Sequence, residues 1–214
     1  MKHYDNIIFD LGGVVIDLDR DEAVRRLQQL GIADADIMLD RYEQRPPFLY
    51  LETGALSAPG LLDQLRALAR PGVSDTDIQD AFEAFLVDLP RERLEALRAV
   101  RGAGYRVFML SNTNPIMYNH WIADRFRQEG LTVNDYFDGA VKSFEEGTCK
   151  PDKAIFTTLL RRYGLRPEDT LMLDDSPANC AAAEAVGIDA IRIDNSGDDS
   201  MPGICGRLIA QRNG

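Results

Sequence analysis

Four short polar clusters in this chain hold residue types that do chemistry together. The first is Asp10, which ends the apolar run Asn6-Ile7-Ile8-Phe9 and is followed at once by Leu11-Gly12-Gly13. A strand that ends on a lone carboxylate and turns through small residues presents that carboxylate at the sheet edge, exposed, with room for a ligand to reach its oxygens. The second is Ser111-Asn112-Thr113-Asn114, after Val107-Phe108-Met109-Leu110. A hydroxyl, an amide and the backbone N–H groups ahead of Pro115 suit phosphate oxygens. The third is Lys150, just ahead of Pro151-Asp152 at the positive end of an expected helix, where it adds a point charge for an anion. The fourth is Asp174-Asp175, which ends Leu171-Met172-Leu173 and precedes Ser176-Pro177-Ala178-Asn179. Adjacent acids repel, and a cation between them and Asp10 relieves the strain. Hard carboxylate oxygens of this number suit magnesium (Mg2+), which takes one or two carboxylates, substrate oxygens and waters.

Something must bring these clusters together. Apolar runs of strand length recur at 7–9, 105–110, 137–141, 170–173 and 190–193, separated by helical patterns. That alternation predicts an α/β protein with a parallel sheet covered by helices, and it sets every polar cluster at a strand's carboxyl end. Between the first two runs lies a long stretch that reads as helices only, at 21–30, 34–45, 57–69 and 74–89. Ser57 with Pro59 reads as an N-cap and first-turn proline, Ser74 with Asp77 as a capping box, and Pro46-Pro47 as the end of the second helix. A right-handed crossover needs only one helix, so this stretch must fold as its own small bundle, over Asp10. The Gly, Asp and Ser cluster at 195–203 reads as a flexible loop before the tail.

Composition removes several function classes. The 214 residues include 35 acidic and 24 basic side chains, a formal net charge of -11, with no Lys/Arg stripe interleaved with aromatics. No nucleic acid and no membrane are therefore expected as partners. Three cysteines, Cys149, Cys180 and Cys205, lack paired spacing, which argues against a disulfide framework or zinc site and for a reduced cytoplasmic setting. Neither a signal peptide nor a membrane span is read in the chain. Cys149, beside Lys150, is expected to have a lowered pKa but is given no role. Arg45 and Tyr50, near the Pro46-Pro47 break, are weighed as substrate contacts against a solvated helix end, and His120 and Trp121 as cover for a core edge.

Taken in order, Phe-Asp10-Leu-Gly-Gly-Val, Leu-Ser111-Asn-Thr, Lys150-Pro-Asp and Leu-Asp174-Asp175-Ser-Pro-Ala-Asn resemble the four motifs of the haloacid dehalogenase-like (HAD) hydrolase superfamily. The likeness covers essentially the whole chain and is to the type with a helical cap. It implies a Rossmann-like three-layer α/β/α core formed by residues 1–16 and 91–214, with an inserted small helical-bundle cap at 17–90. It further implies a phosphatase of a small phosphorylated metabolite, with Asp10 as nucleophile, Ser111 and Asn112 on the phosphoryl group, and Lys150 neutralising Asp10 and phosphate. Asp10, the backbone carbonyl of Gly12 and Asp175 would hold Mg2+, with Asp174 and Asn179 holding Lys150 or neighbouring backbone.

One position departs from the family pattern. Many members carry a second Asp two residues after the first, as the acid and base of a two-step reaction, and here that residue is Gly12. Losing general acid–base help costs about a hundredfold to ten-thousandfold. Asp17, Asp19, Glu52 and His120 are candidate substitutes. The Phe-Asp-Leu-Gly-Gly form itself resembles a branch that includes sugar-phosphate phosphatases. Two alternatives stay open: a metal-independent 2-haloacid dehalogenase-type hydrolase, and a non-catalytic phospholigand-binding protein. The chain is expected to be a monomer or homodimer.

Overall fold

In a computed structural model, residues 2–195 and 197–213 of the protein are described. Seven strands occur among them: β1 (Asn6–Phe9), β2 (Asp17–Leu18), β3 (Leu86–Asp88), β4 (Arg106–Ser111), β5 (Gly139–Lys142), β6 (Thr170–Asp174) and β7 (Asp189–Arg192). Five form one parallel sheet in the order β5-β4-β1-β6-β7. The short run of β1 is buried throughout because both faces are covered. Its side chains alternate between layers: Ile7 and Phe9 pack with Val107, Met109, Leu94, Leu97, Ile204 and Leu208, whereas Ile8 packs with Phe108, Met172, Ile155 and Phe156. The expected α/β/α layering is therefore present.

Strand order decides where the polar clusters meet. β1 is central, with β4 and β5 on one side and β6 and β7 on the other, so connections leave it in both directions. The crevice at such a switch point opens at the carboxyl ends of β1, β4 and β6. Phe9 is level with both Met109 and Leu173, which puts Asp10, Ser111 and Asp174 at one edge.

The segment between β1 and β4 holds helices at Arg20–Gln29, Ala35–Met38, Phe48–Glu52, Ala58–Leu68 and Asp75–Glu83. They bury Leu27, Phe48, Leu61, Leu65, Ile78 and Phe82, and the Phe48 and Phe82 rings lie 4.8 Å apart between centroids. Ser57 caps its helix and Ser74–Asp77 forms the capping box. Chain entry and exit are tied by the antiparallel pair β2–β3, with Asp17 opposite Asp88.

Three local expectations fail. The helix expected at 34–45 stops at Met38, because the Asp40 carboxylate accepts the N–H groups of Tyr42 (2.9 Å) and Glu43 (3.0 Å) and so offers the backbone a turn instead. The helix expected at 74–89 ends at Glu83 and the chain extends into β3, where pairing with β2 and the restraint that Pro90 puts on Leu89 outweigh helix propensity. The supposed flexible loop at 195–203 contains a 3-10 turn at Gly197–Asp199 and the start of a helix at Met201–Asn213; Ser196 lies outside the described residues. The signal for that helix is in the sequence, since Met201, Ile204, Cys205 and Leu208 have helical spacing and are all buried. No helix among the described residues is long and apolar enough to cross a membrane.

Candidate active site

Asp10 leaves β1 with its N–H still donating to Leu173 O at 3.0 Å, so its backbone is fixed by the sheet. It is buried rather than exposed as expected, because the helical segment closes over the sheet edge. Oδ1 accepts from Leu11 N (2.7 Å) and lies 2.8 Å from Lys150 Nζ. Among the described residues Oδ2 has no protein hydrogen bond and is the oxygen left for a ligand. Burial pushes the Asp10 carboxyl above the ordinary carboxylate range; Lys150 opposes this, and Asp174 and Asp175 add to it.

Lys150 is held from both ends. Its backbone N–H donates to Asn112 Oδ1 and its carbonyl accepts from Asn112 Nδ2, each at 2.8 Å. Its ammonium bridges Asp10 Oδ1 and Asp174 Oδ2, both at 2.8 Å. Burial works against the cation, but the two carboxylates outweigh it and hold the lysine above its usual range. Asp174 is saturated, since its Oδ1 accepts from Ser176 N and Asn179 Nδ2, each at 2.9 Å. Asn179 thus holds Asp174, and Asp174 holds Lys150. Asn112 keeps one amide N–H uncommitted, and Ser111 Oγ makes just a long 3.4 Å contact to Asn112 O, so its hydroxyl can turn to a ligand.

Asp175 stands differently. Its Oδ2 is buried without a hydrogen-bond partner, and the nearest cation, the Arg41 guanidinium, is 3.5 Å away. An orphaned carboxylate oxygen is costly unless something binds it. Burial, with Asp174 beside it, raises this carboxyl. One ligand oxygen from each of Asp10, Asp174 and Asp175 lie within 4.8 Å of one another. At Gly13 the backbone has φ +71°, and a Cβ there would fall 2.3 Å from Asp175 Oδ2, so the cradle for that oxygen exists because residue 13 has no side chain. Hard oxygens converging around one that lacks a hydrogen bond fit a divalent cation.

Asp10, Ser111, Asn112, Lys150, Asp175 and Asn179 line one cavity, with Asp174 behind them. From the helical segment come Arg41, Tyr42, Gln44, Phe48 and Glu52. Arg45 and Tyr50 do not line it; Tyr50 points to solvent, and the turn at Asp40 brings its neighbours in instead. Sequence reasoning also missed Ser143, whose Oγ takes Thr113 N (3.0 Å) and gives to Thr113 O (2.9 Å), locking the 111–114 loop to the end of β5. A serine after a strand carries no signal for that. The Cys149 thiol is raised to about 12, not lowered: burial and the neighbouring Glu52 outweigh Lys150.

A parallel sheet that gathers a carboxylate–lysine cluster at its switch point, under helices inserted after the first strand, defines an α/β enzyme class. The chain belongs to the haloacid dehalogenase-like hydrolases, whose family model matches residues 4–187. A D-ribitol-5-phosphate phosphatase of Bacteroides thetaiotaomicron is 35% identical over 193 residues, covering 90% of this chain and 93% of that protein. A HAD-family enzyme of the same organism, crystallised with magnesium and inorganic phosphate, superposes with TM-score 0.83 at 32% identity, covering 91% of this chain and 96% of that one. A predicted HAD-like hydrolase of Porphyromonas gingivalis gives TM-score 0.84 at 36% identity over 96% and 98% of the two chains.

Proposed function

We propose that the protein is a magnesium-dependent phosphatase for a small phosphorylated metabolite, a sugar or sugar-alcohol phosphate, acting through an aspartyl phosphate on Asp10. One observation carries this reading: Oδ1 of Asp10 is tied to Leu11 N–H and Lys150 while Oδ2 is left for a ligand, in a cavity that Ser111 and Asn112 also line. That geometry suits in-line attack by one oxygen while the other is held. The likeness to a ribitol-5-phosphate phosphatase supports the substrate class.

Asp10, the Gly12 carbonyl and Asp175 are the proposed holders of Mg2+, and the lack of any hydrogen bond to the buried Asp175 Oδ2 supports the fit. Bound there, the cation would neutralise phosphoryl charge. Lys150 orients Asp10 and opposes the rise that burial gives its carboxyl, and Asp174 with Asn179 fixes Lys150. Ser111 Oγ and the free Asn112 N–H bind phosphoryl oxygens. Residues 17–90 serve as a cap on a core made of 1–16 and 91–214, with β2–β3 as the crossing between them. Three free cysteines agree with a reduced cytoplasmic setting.

The test is phosphate release from a panel of sugar and polyol phosphates with MgCl2, run beside Asp10→Asn. Release by the wild type that vanishes in the variant and in chelator supports the assignment. Chloride release from a 2-haloacid in chelator would favour the dehalogenase reading, and tight phosphoester binding with no phosphorylated Asp10 would favour a binding protein.

A further inference from the structure

The reaction proposed above needs a proton for the leaving oxygen and then a base for water, and Gly12 supplies neither. Of the candidates in the sequence, three are committed elsewhere. Asp17 Oδ1 pairs with Arg93 at 2.7 Å, Asp19 Oδ1 caps the helix at Glu22 N at 2.9 Å, and His120 Nδ1 meets Gln79 at 3.1 Å. None of them lines the cavity. The titratable residues that do are Asp10, Arg41, Tyr42, Glu52, Lys150 and Asp175. Asp10 is the proposed nucleophile and Asp175 a proposed metal ligand, arginine and a doubly salt-bridged lysine do not give up protons near neutrality, and burial with Asp175 holds the Tyr42 phenol above its already high range, which leaves Glu52.

We propose that Glu52 is the general acid and base of this enzyme, delivered from the helical segment in place of the carboxylate missing at position 12. The inference rests on the phosphatase reading. Glu52 closes the short helix Phe48–Glu52, which is anchored by buried Phe48 and Leu51. Just beyond it, Gly54 (φ +70°) lies so near Phe144 that a Cβ there would come 2.2 Å from the Phe144 carbonyl oxygen. On the other side Cys149 Sγ lies 3.8 Å from Glu52 O and 3.9 Å from Oε2. The helix end is therefore docked on the segment that carries Lys150, and the half-buried Glu52 lines the cavity. Burial raises its carboxyl to about 8, with Lys150 opposing and Asp10 pushing the same way, which suits a group that gives and takes a proton near neutrality.

The proton balance closes over two steps. Asp10 Oδ2 bonds to phosphorus as the P–O bond to the alcohol breaks, and the leaving oxygen takes the Glu52 proton. Glu52 carboxylate then takes a proton from water as the water oxygen bonds to phosphorus and the bond to Asp10 breaks. Inorganic phosphate leaves with Asp10 as carboxylate and Glu52 as acid again.

The experiment compares wild type, Glu52→Gln and Glu52→Asp on ribitol 5-phosphate, a poor leaving group, and 2,4-dinitrophenyl phosphate, a good one, with MgCl2. Glu52→Gln is expected to lose about a hundredfold to ten-thousandfold in kcat on the alkyl ester. On the aryl ester it should keep the rapid burst of dinitrophenolate and then stall, with phosphorylated Asp10 accumulating. Glu52→Asp should recover part of the alkyl-ester rate. Equal loss on both esters without a burst, or an unchanged alkyl-ester rate, overturns the role of Glu52. A wild type that cleaves neither ester overturns the phosphatase reading itself.

Discussion

Lys150 Nζ lies 2.8 Å from Asp174 Oδ2, and both side chains are wholly shielded from solvent. The same ammonium lies 2.8 Å from Asp10 Oδ1, so one cation serves two buried carboxylates. A buried charge of this kind is a commitment: breaking it strands its partners in a medium that solvates them poorly.

Lys150→Met should therefore destabilise the fold by about 3–5 kcal/mol as well as abolish turnover. The penalty should shrink as pH falls, because protonation relieves the abandoned carboxylates. Urea unfolding at pH 7.5 and pH 5 measures it. A variant as stable as wild type at pH 7.5 would contradict the paired-charge account.

Gly13→Ala should weaken magnesium binding. The left-handed backbone costs a non-glycine residue about 1–2 kcal/mol, and here the added Cβ also meets Asp175 Oδ2. Gly147→Ala is the control, since its φ is the same +71° with nothing within 4 Å. Thermal melts with and without MgCl2 should show a magnesium-dependent rise in Tm for wild type and Gly147→Ala that is lost in Gly13→Ala. At a hundred times Kd that rise corresponds to about 2.7 kcal/mol.

Gly12→Asp should be destabilising for a specific reason: a Cβ there comes 3.0 Å from Leu18 Cδ1 on β2. Leu18→Ala makes room. A double-mutant cycle by denaturant unfolding should give a favourable coupling above about 0.5 kcal/mol, whereas additive costs would mean that Leu18 is not the obstacle.

Glu52 should leave a mark on stability against pH. Its folded value is about 8 and its ordinary value 4.5, so the folded state keeps a proton that the unfolded chain releases. Between those values stability falls as pH rises, and the contribution is complete below 4.5 and gone above 8. The groups that face it are Lys150, Asp10 and Cys149. Glu52→Gln cannot lose a proton, so its unfolding free energy should decline less than that of wild type from pH 5 to pH 8. Parallel curves would place Glu52 in water.

The amino-acid sequence by itself determined the five strands of the parallel sheet, the helical character of most of the inserted segment, and the four motifs from Asp10 to Asp174-Asp175, but not the short pair β2–β3. Each of these rests on local periodicity or on residues close together in the chain. It also marked Ser57 and Ser74 as helix starts, because capping is a contact over three residues. Tertiary structure decided the rest. The family resemblance gave Asp174 and Asp175 different roles, and the tertiary structure supplies the physical reason: Asp174 is saturated by Lys150, Ser176 and Asn179, whereas Asp175 Oδ2 is buried without a hydrogen bond. The burial of Asp10 depends on helices inserted after it, and the choice of Glu52 over Asp17, Asp19 and His120 depends on which segments dock on the sheet edge. Burial and charge–charge distance are properties of chain segments far apart in sequence, and they come into being when the helical segment packs over β1, β4 and β6.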